Sequence, residues 1–427
     1  MKKVLTALII LASFNISFAQ NKNIVSCYNH LKYREYDKAK AAIDKAVEHP
    51  KTMSNPKAWW YRGNTYQILG ALCQSGKAEY CTMAPNAADV AKESYGKALA
   101  LNMKDPKWHE LDIYKNKADL DLIMKLSQQT KNVVNIELFR EVVFEKFARM
   151  ANLFVQKAVA EYESEDQTEN AKAAESFKIS LTYSGVMGTI DTAVIYWVAR
   201  SADKVDDFET AKEYYRKSIS LDYGENDKAK AWTYKYMASI HLREGDTTQY
   251  LQTLKDGIDK YPEGSTVIMP DLINHYLVTE QTQEALAYLK LAIEANPDNS
   301  TYYFAEGTLY DKAEDFDNAI LSYQKSLEID PEFFDANYNL GAVHYNVAAQ
   351  YIKDAIDLPL DKQKQYDALI EKANAKFKVA QPYLEKAHEL TPDDLSAMMS
   401  LKEIYFRLKM YDQSNEMKAK IEAADKK

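Results

Sequence analysis

The sequence predicts an all-α chain built as a superhelical solenoid of stacked antiparallel helix pairs. Three observations predict it. Landmark residues recur at an offset of 34: Met269, Tyr276, Ala285, Leu289, Ala292 and Pro297 are followed by Tyr303, Tyr310, Ala319, Tyr323, Ser326 and Pro331. Within each set, apolar residues fall three or four apart, the spacing of two amphipathic helices. A proline closes the set, as at Pro262, Pro297 and Pro331, because proline cannot continue the hydrogen-bond ladder.

The landmarks have a packing logic. A small residue in the first helix (Ala199, Ala238, Gly307) lets the second helix approach, and an alanine in the second (Ala211, Ala285, Ala319) does the same from the other side. A large residue four positions later (Tyr215, Leu289, Tyr323) fills the space beside them. One such hairpin cannot bury its own apolar face, so units must stack. These residues resemble the tetratricopeptide-repeat (TPR) family, whose 34-residue unit is a helical hairpin.

With the register set, weaker copies follow in order. Ala39, Ile43 and Ala46 make a second helix ending at Pro50. Trp59, Gly63 and Tyr66 pair with Ala91, Tyr95 and Ala98, and Ala158 pairs with Ala173, Phe177 and Ser180. Leu340, Gly341 and His344 pair with Ala380, Leu384, Ala387 and Pro392. The last unit has Met398, Leu401 and Tyr405 but Ser414 and Lys418 in its second helix, as suits a solvent-facing end. That makes nine units. The expected layout is a leader at 1–19, N-terminal units at 20–104, a helical connector at 105–135 and a central array at 136–333. A unit with a long helical insertion at 334–394 and a capping unit at 395–427 follow. The connector carries Leu111, Tyr114, Leu120, Ile123 and Leu126 at helical spacing and could serve as a hinge.

Two units depart from the regular spacing at one place, the turn between their helices. Small residue and packing alanine normally stand twelve apart, but Gly63 to Ala91 is 28 and Gly341 to Ala380 is 39. The Ala158 unit carries a smaller excess through the acidic stretch Glu161 to Glu169. The larger insertion is expected as two lengthened helices turning at Asp357-Leu358-Pro359. Insertions on one edge serve either as a binding feature or as cover for the solenoid's flank. Cys73 and Cys81, eight apart around Gly76 inside the shorter insertion, suit a local disulfide or two free thiols. Cys27 reads as a small packing residue.

The N-terminus reads as an export leader. Lys2 and Lys3 precede the apolar run Val4 to Phe14, and Ser17-Phe18-Ala19 places small residues before an expected cut at Gln20. No later stretch is apolar enough for a transmembrane helix. The mature chain is therefore expected outside an inner membrane, in the periplasm, with surface attachment or secretion as alternatives. The net charge is −9 with 63 acidic residues, and loss of the leader's two lysines makes it more negative. That balance argues against a nucleic-acid partner, which requires basic patches.

The resemblance implies a ligand face on the first helices, at positions two, five, nine, twelve and thirteen of each unit. Position five gives Trp60, Tyr196, Lys235, Phe304 and Tyr338, position two gives Trp232, and position nine gives Asn64, Arg200, Asn274 and Thr308. Aromatics there suit an extended peptide or apolar helix, or they pack between neighbouring first helices. One TPR variant grips a C-terminal carboxylate with Lys and Asn, and Tyr196, Arg200, Tyr236 and Thr301 stand in its places, so that mode is not expected. Pro270, at position five of its unit, implies a late helix start.

Chemistry finds no foothold. The seven histidines form no H-E-x-x-H pair, and neither a G-x-S-x-G elbow nor a P-loop is present. No catalytic residue, metal or cofactor is assigned. The expectation is a non-catalytic interaction scaffold binding a partner protein or peptide. A glycan-binding envelope protein, with Trp60 and Trp232 as stacking platforms, is the alternative.

Overall fold

The computed structural model describes residues 22–113 and 117–424. The leader and Tyr114 of the connector lie outside them. Helices α1 (22–32), α2 (Tyr36–Glu48), α3 (Pro56–Gln74), α4 (Ala78–Met83) and α5 (Ala87–Leu101) lead into the connector, which holds α6 (Lys117–Ser127). Next come α7 (Ile136–Arg140), a π-helical turn Glu141–Lys146 that runs into α8 (Phe147–Glu163), α9 (Gln167–Val186), α10 (Thr192–Lys204) and α11 (Phe208–Ser220). The remainder is α12 (Asp227–Arg243), α13 (Thr247–Lys260), α14 (Met269–Val278), α15 (Thr282–Ala295), α16 (Ser300–Lys312) and α17 (Phe316–Ile329). Last come α18 (Phe334–Ile356), α19 (Gln363–Leu390), α20 (Leu395–Arg407) and α21 (Tyr411–Ala424). Among the described residues these make nine antiparallel pairs: α1/α2, α3/α5, α8/α9, and each successive pair from α10/α11 to α20/α21.

Contacts divide the chain into two compact units, one ending at Tyr223 and one beginning at Gly224. This boundary falls inside the stretch 136–333 that the sequence presents as one array. Within each unit the register rule holds at atomic scale. A Cβ built on Gly63 would lie 2.6 Å from the Tyr95 ring, on Gly307 2.7 Å from the Tyr323 ring, and on Gly341 2.6 Å from Leu384. Only glycine permits those approaches. The alanines Ala91, Ala211, Ala285, Ala319 and Ala380 are fully buried opposite.

The corners sort by insertion. In six pairs the turn holds a residue with positive φ: Arg34, Asp206, Gly245, Glu280, Glu314 and Lys409. That left-handed residue follows the first helix, the next residue is the N-cap of the second, and the one after begins it. Among the described residues α8/α9 and α18/α19 lack such a corner, and in α3/α5 the left-handed Gly76 leads from α3 into the extra helix α4; these three are the pairs whose spacing is stretched in the sequence. The second helices α13, α15 and α17 each stop two residues before Pro262, Pro297 and Pro331, since the residue preceding proline leaves the helical region. Pro270 sits in the first turn of the short α14, where its missing N–H has no intrahelical partner to lose.

The connector closes on itself. Met103 and Val133 form an isolated bridge, Asn102 Nδ2 donates to the Asn135 carbonyl at 2.8 Å, and the Asn135 N–H donates to Asn102 Oδ1 at 2.9 Å. Ile113, Leu120 and Ile123 are buried in a core that also contains Phe139, Phe147 and Tyr183. The excursion is thus folded into the first unit. At the other end of the described residues, α21 buries only Ser414 and Met417.

Candidate functional site

Position nine of the first helices is tied to the fold in three of four cases. The Tyr95 hydroxyl donates to Asn64 Oδ1 at 2.8 Å, and the Tyr323 hydroxyl donates to Thr308 Oγ1 at 3.4 Å. Arg200 Nη1 donates to the Tyr215 hydroxyl at 3.5 Å, and that hydroxyl donates to Asp203 Oδ2 at 3.0 Å. Burial and the Asp203 carboxylate push the Tyr215 hydroxyl far up, so it stays a donor. The rings are the large second-helix residues that pack on Gly63, Ala199 and Gly307. Their hydroxyls are buried and require a partner, which the next residue along the first helix provides. Asn274 differs. Its unit has Leu289 in place of tyrosine, and the exposed Asn274 side chain makes no hydrogen bond among the described residues. In the three units with a tyrosine at the second-helix site, position nine bonds its hydroxyl; in the unit with Leu289 it does not.

The aromatics at positions five and two are neither core nor free surface. Trp60 packs partly into the first unit's core, 4.7 Å from the Tyr61 ring, and its indole N–H has no hydrogen-bond partner. Tyr196 lies 5.2 Å from Tyr223 and 6.4 Å from Tyr215. In the second unit Phe304 lies 5.0 Å from Phe333, and Tyr338 stacks 6.2 Å from Phe334. Trp232 stacks on Tyr236 at 5.4 Å with the Lys235 ammonium 5.2 Å from its ring centroid. Lys235 also reaches the next first helix, pairing with Asp271 Oδ2 at 3.0 Å and donating to the Val267 carbonyl at 3.1 Å. All are half-buried. Each ring therefore packs partly on its neighbours and remains partly exposed.

Residues outside the position-five and position-nine set line a cleft in the first unit. Between α3 and α8 a recess of about 340 Å³ is lined by Gln67, Ile68, Gln74, Arg149, Asn152 and Gln156, among others. Gln67 and Ile68 occupy positions twelve and thirteen of the α3 unit. Beside the recess, Cys73 and Cys81 are joined in a disulfide with Sγ–Sγ 2.05 Å, tying α4 to the end of α3. Cys27 is fully buried with Sγ 3.5 Å from Thr65 Oγ1, and burial pushes its thiol up to about 11. His241 and His344 are buried in the packing. Among the described residues no group of three His, Cys, Asp or Glu side chains is placed to hold a metal ion, and no helix is long and apolar enough to cross a membrane.

Comparison with known proteins finds repeat models in both units. A TPR-repeat family model covers residues 307–347, and a tetratricopeptide-repeat model covers residues 193–225. The chain carries tetratricopeptide repeats. Among solved structures this TPR protein is similar to the C-terminal part of a TPR repeat-containing protein from Cytophaga hutchinsonii. That likeness has 18% identity over 64% of this chain and 92% of the other, with a TM-score of 0.40. A TPR repeats protein from Bacteroides fragilis is 21% identical over 60% of this chain and 97% of its own, TM-score 0.30. YrrB, described as a TPR protein with an unusual peptide-binding site, is 20% identical over 54% and 99%, TM-score 0.33. Among curated sequences, 97 residues are 31% identical to a UDP-N-acetylglucosamine–peptide N-acetylglucosaminyltransferase from Giardia intestinalis. That stretch is 23% of this chain, which spans 6% of the enzyme's length.

Proposed function

We propose that this TPR protein is a non-catalytic scaffold of the cell envelope that holds a partner protein or peptide on the first-helix face of its repeats. The observation that carries the reading is the set of half-buried aromatics Trp60, Tyr196, Trp232, Phe304 and Tyr338, one on each of five first helices. Their inner edges are anchored, so the outer surface is presented with little rotamer freedom left to lose. A partner that covers such rings gains buried area at small entropic cost. Export rests on the leader at residues 1–19 and is tested by N-terminal sequencing of the protein from a fractionated envelope, with Gln20 expected first.

Binding is tested by affinity purification from the envelope, comparing the native chain with a Tyr196→Ala/Trp232→Ala/Asn274→Ala variant. Circular dichroism must first show equal helicity. A partner captured by the native chain and lost by the variant supports the face. Equal capture by both moves the contact to the inserted turns. If neither retains protein while oligosaccharides change the tryptophan fluorescence, the carbohydrate reading replaces this one.

A further inference from the structure

The exposed flank of α8 carries two adjoining clefts of opposite charge, both inside the first unit. The one against α3 is lined by a single guanidinium, Arg149, and by the carboxamides of Gln67, Gln74, Asn152 and Gln156, with no carboxylate. The other, about 330 Å³, shares Gln74, Leu153 and Gln156 with it but is lined by three carboxylates, Asp89, Glu161 and Glu169, and one ammonium, Lys157. The cations nearby are already engaged. Lys157 pairs with Asp89 at 2.7 Å and lies 3.6 Å from Glu161, and Lys146 pairs with Glu141 at 2.9 Å. Arg149 has no ion-pair partner among the described residues, on a chain whose net charge is −9.

We propose that the α3/α8 cleft receives an aspartate or glutamate side chain of an extended peptide partner, with Arg149 as its counter-ion. The inference rests on the first-helix face being a peptide-binding surface, and it names the chemistry of one place on it. The guanidinium fork matches a carboxylate in two parallel hydrogen bonds. The carboxamides select a peptide over a free anion. Gln67 Nε2 donates to the Lys146 carbonyl at 3.1 Å and Gln74 Nε2 to the Leu153 carbonyl at 3.0 Å. Each amide is thereby oriented, with its carbonyl oxygen an acceptor that suits a peptide N–H and repels a second anion. The recess is at the small end of ligand sites, the size of one side chain with its backbone. The neighbouring cleft holds three carboxylates to one ammonium, so it disfavours a second carboxylate there, which sets the register in which an acidic segment can lie.

The test uses the full mature chain and an array of short random peptides tethered through their C-termini, so that only side-chain carboxylates are offered. Native protein, Arg149→Glu and Arg149→Lys are compared at low and moderate salt after circular dichroism confirms folding. The expected result is enrichment of Asp- and Glu-bearing peptides by the native protein. Arg149→Glu should lower their retention by about tenfold or more and shift enrichment to Lys and Arg, while Arg149→Lys, lacking the fork, should fall between. If native protein and Arg149→Glu retain the same peptides, the anchor is overturned while the peptide-binding face stands. Retention of no peptide by any form overturns both.

Discussion

The turn joining α3 to α5 and the turn joining α18 to α19 each replace a tight corner with extra chain, and the two end differently. The shorter insertion folds back. It is tied by Cys73–Cys81, its short α4 sets Tyr80 against Tyr36 at 5.9 Å, and Ala84, Ala87 and Ala88 enter the first unit's core. The longer one extends the pair itself, so that α18 and α19 run for 23 and 28 residues. Ala348, Ala355, Ala373 and Phe377 are buried along this extended hairpin, while Ile356 is 69% exposed and Leu360 fully so. A continuous apolar seam propagates helix pairing outward. Where glycine and a cross-link interrupt that pattern, the extra chain becomes a cover. At their roots, however, the two are alike.

The largest expected effect breaks both roots at once. Gly63→Val and Gly341→Val each drive a branched side chain into a fully buried partner, Tyr95 or Leu384. Each should cost about 2–3 kcal/mol, read from the urea dependence of helicity. A loss under about 1 kcal/mol at Gly341 would mean that the longer pair separates at its root without penalty, and the likeness of the two would fail there.

Next comes the cross-link that only the shorter insertion has. Cys73→Ser/Cys81→Ser removes closure of a nine-residue loop, for an expected loss of about 2–3 kcal/mol. Hydrogen exchange should place it in the first unit. Reductant should reproduce the loss in the native chain and leave the double variant unchanged. An equal response of both proteins to reductant would show that the bridge does not hold the cover down.

The same register position separates the roots by pH. Three residues after each glycine stand Tyr66 and His344. The Tyr66 hydroxyl donates to Asp44 at 2.8 Å, whereas both ring nitrogens of His344 are buried without partners beside Tyr383. Burial, with the Lys376 charge second, pushes His344 down to about 4. Its folded form therefore resists the proton that the unfolded chain accepts near pH 6.5. Stability from this group is complete above that pH and is lost as pH falls towards 4, at up to about 1.4 kcal/mol per unit. The stability difference between native protein and His344→Phe should change over that window and be flat above it. A constant difference from pH 7 to pH 4 would show that His344 takes up its proton without opposition.

What could be read in advance follows from how local each constraint is. The small-residue and alanine register is legible because close helix approach leaves no alternative at Gly63, Gly307 or Ala319. The stretched corners are legible because a missing offset is itself countable. At position nine the sequence does not reveal that Asn64, Arg200 and Thr308 also bond Tyr95, Tyr215 and Tyr323, because that depends on the reach of rings on the other helix. The α3/α8 cleft is hidden for a different reason. A connector and a π-helical turn precede α8, so no constant offset places Arg149 and Asn152 beside Gln67.

The smallest expected effect sharpens the comparison most. Ile356→Ser and Leu360→Ser alter apolar residues at the tip of the longer insertion, where the described chain offers them little to pack against. Each should change stability by no more than about 0.5 kcal/mol. Amides of the tip should exchange faster than those around Ala348 and Phe377, because local opening there disturbs less buried surface. The two substitutions also separate the uses of the extended hairpin. If it only lengthens the seam, envelope capture is unchanged by a polar tip. If the tip meets a partner, capture falls while stability holds, a pattern that no change at the buried seam can imitate, since loss of Phe377 or Ala373 packing would lower both together.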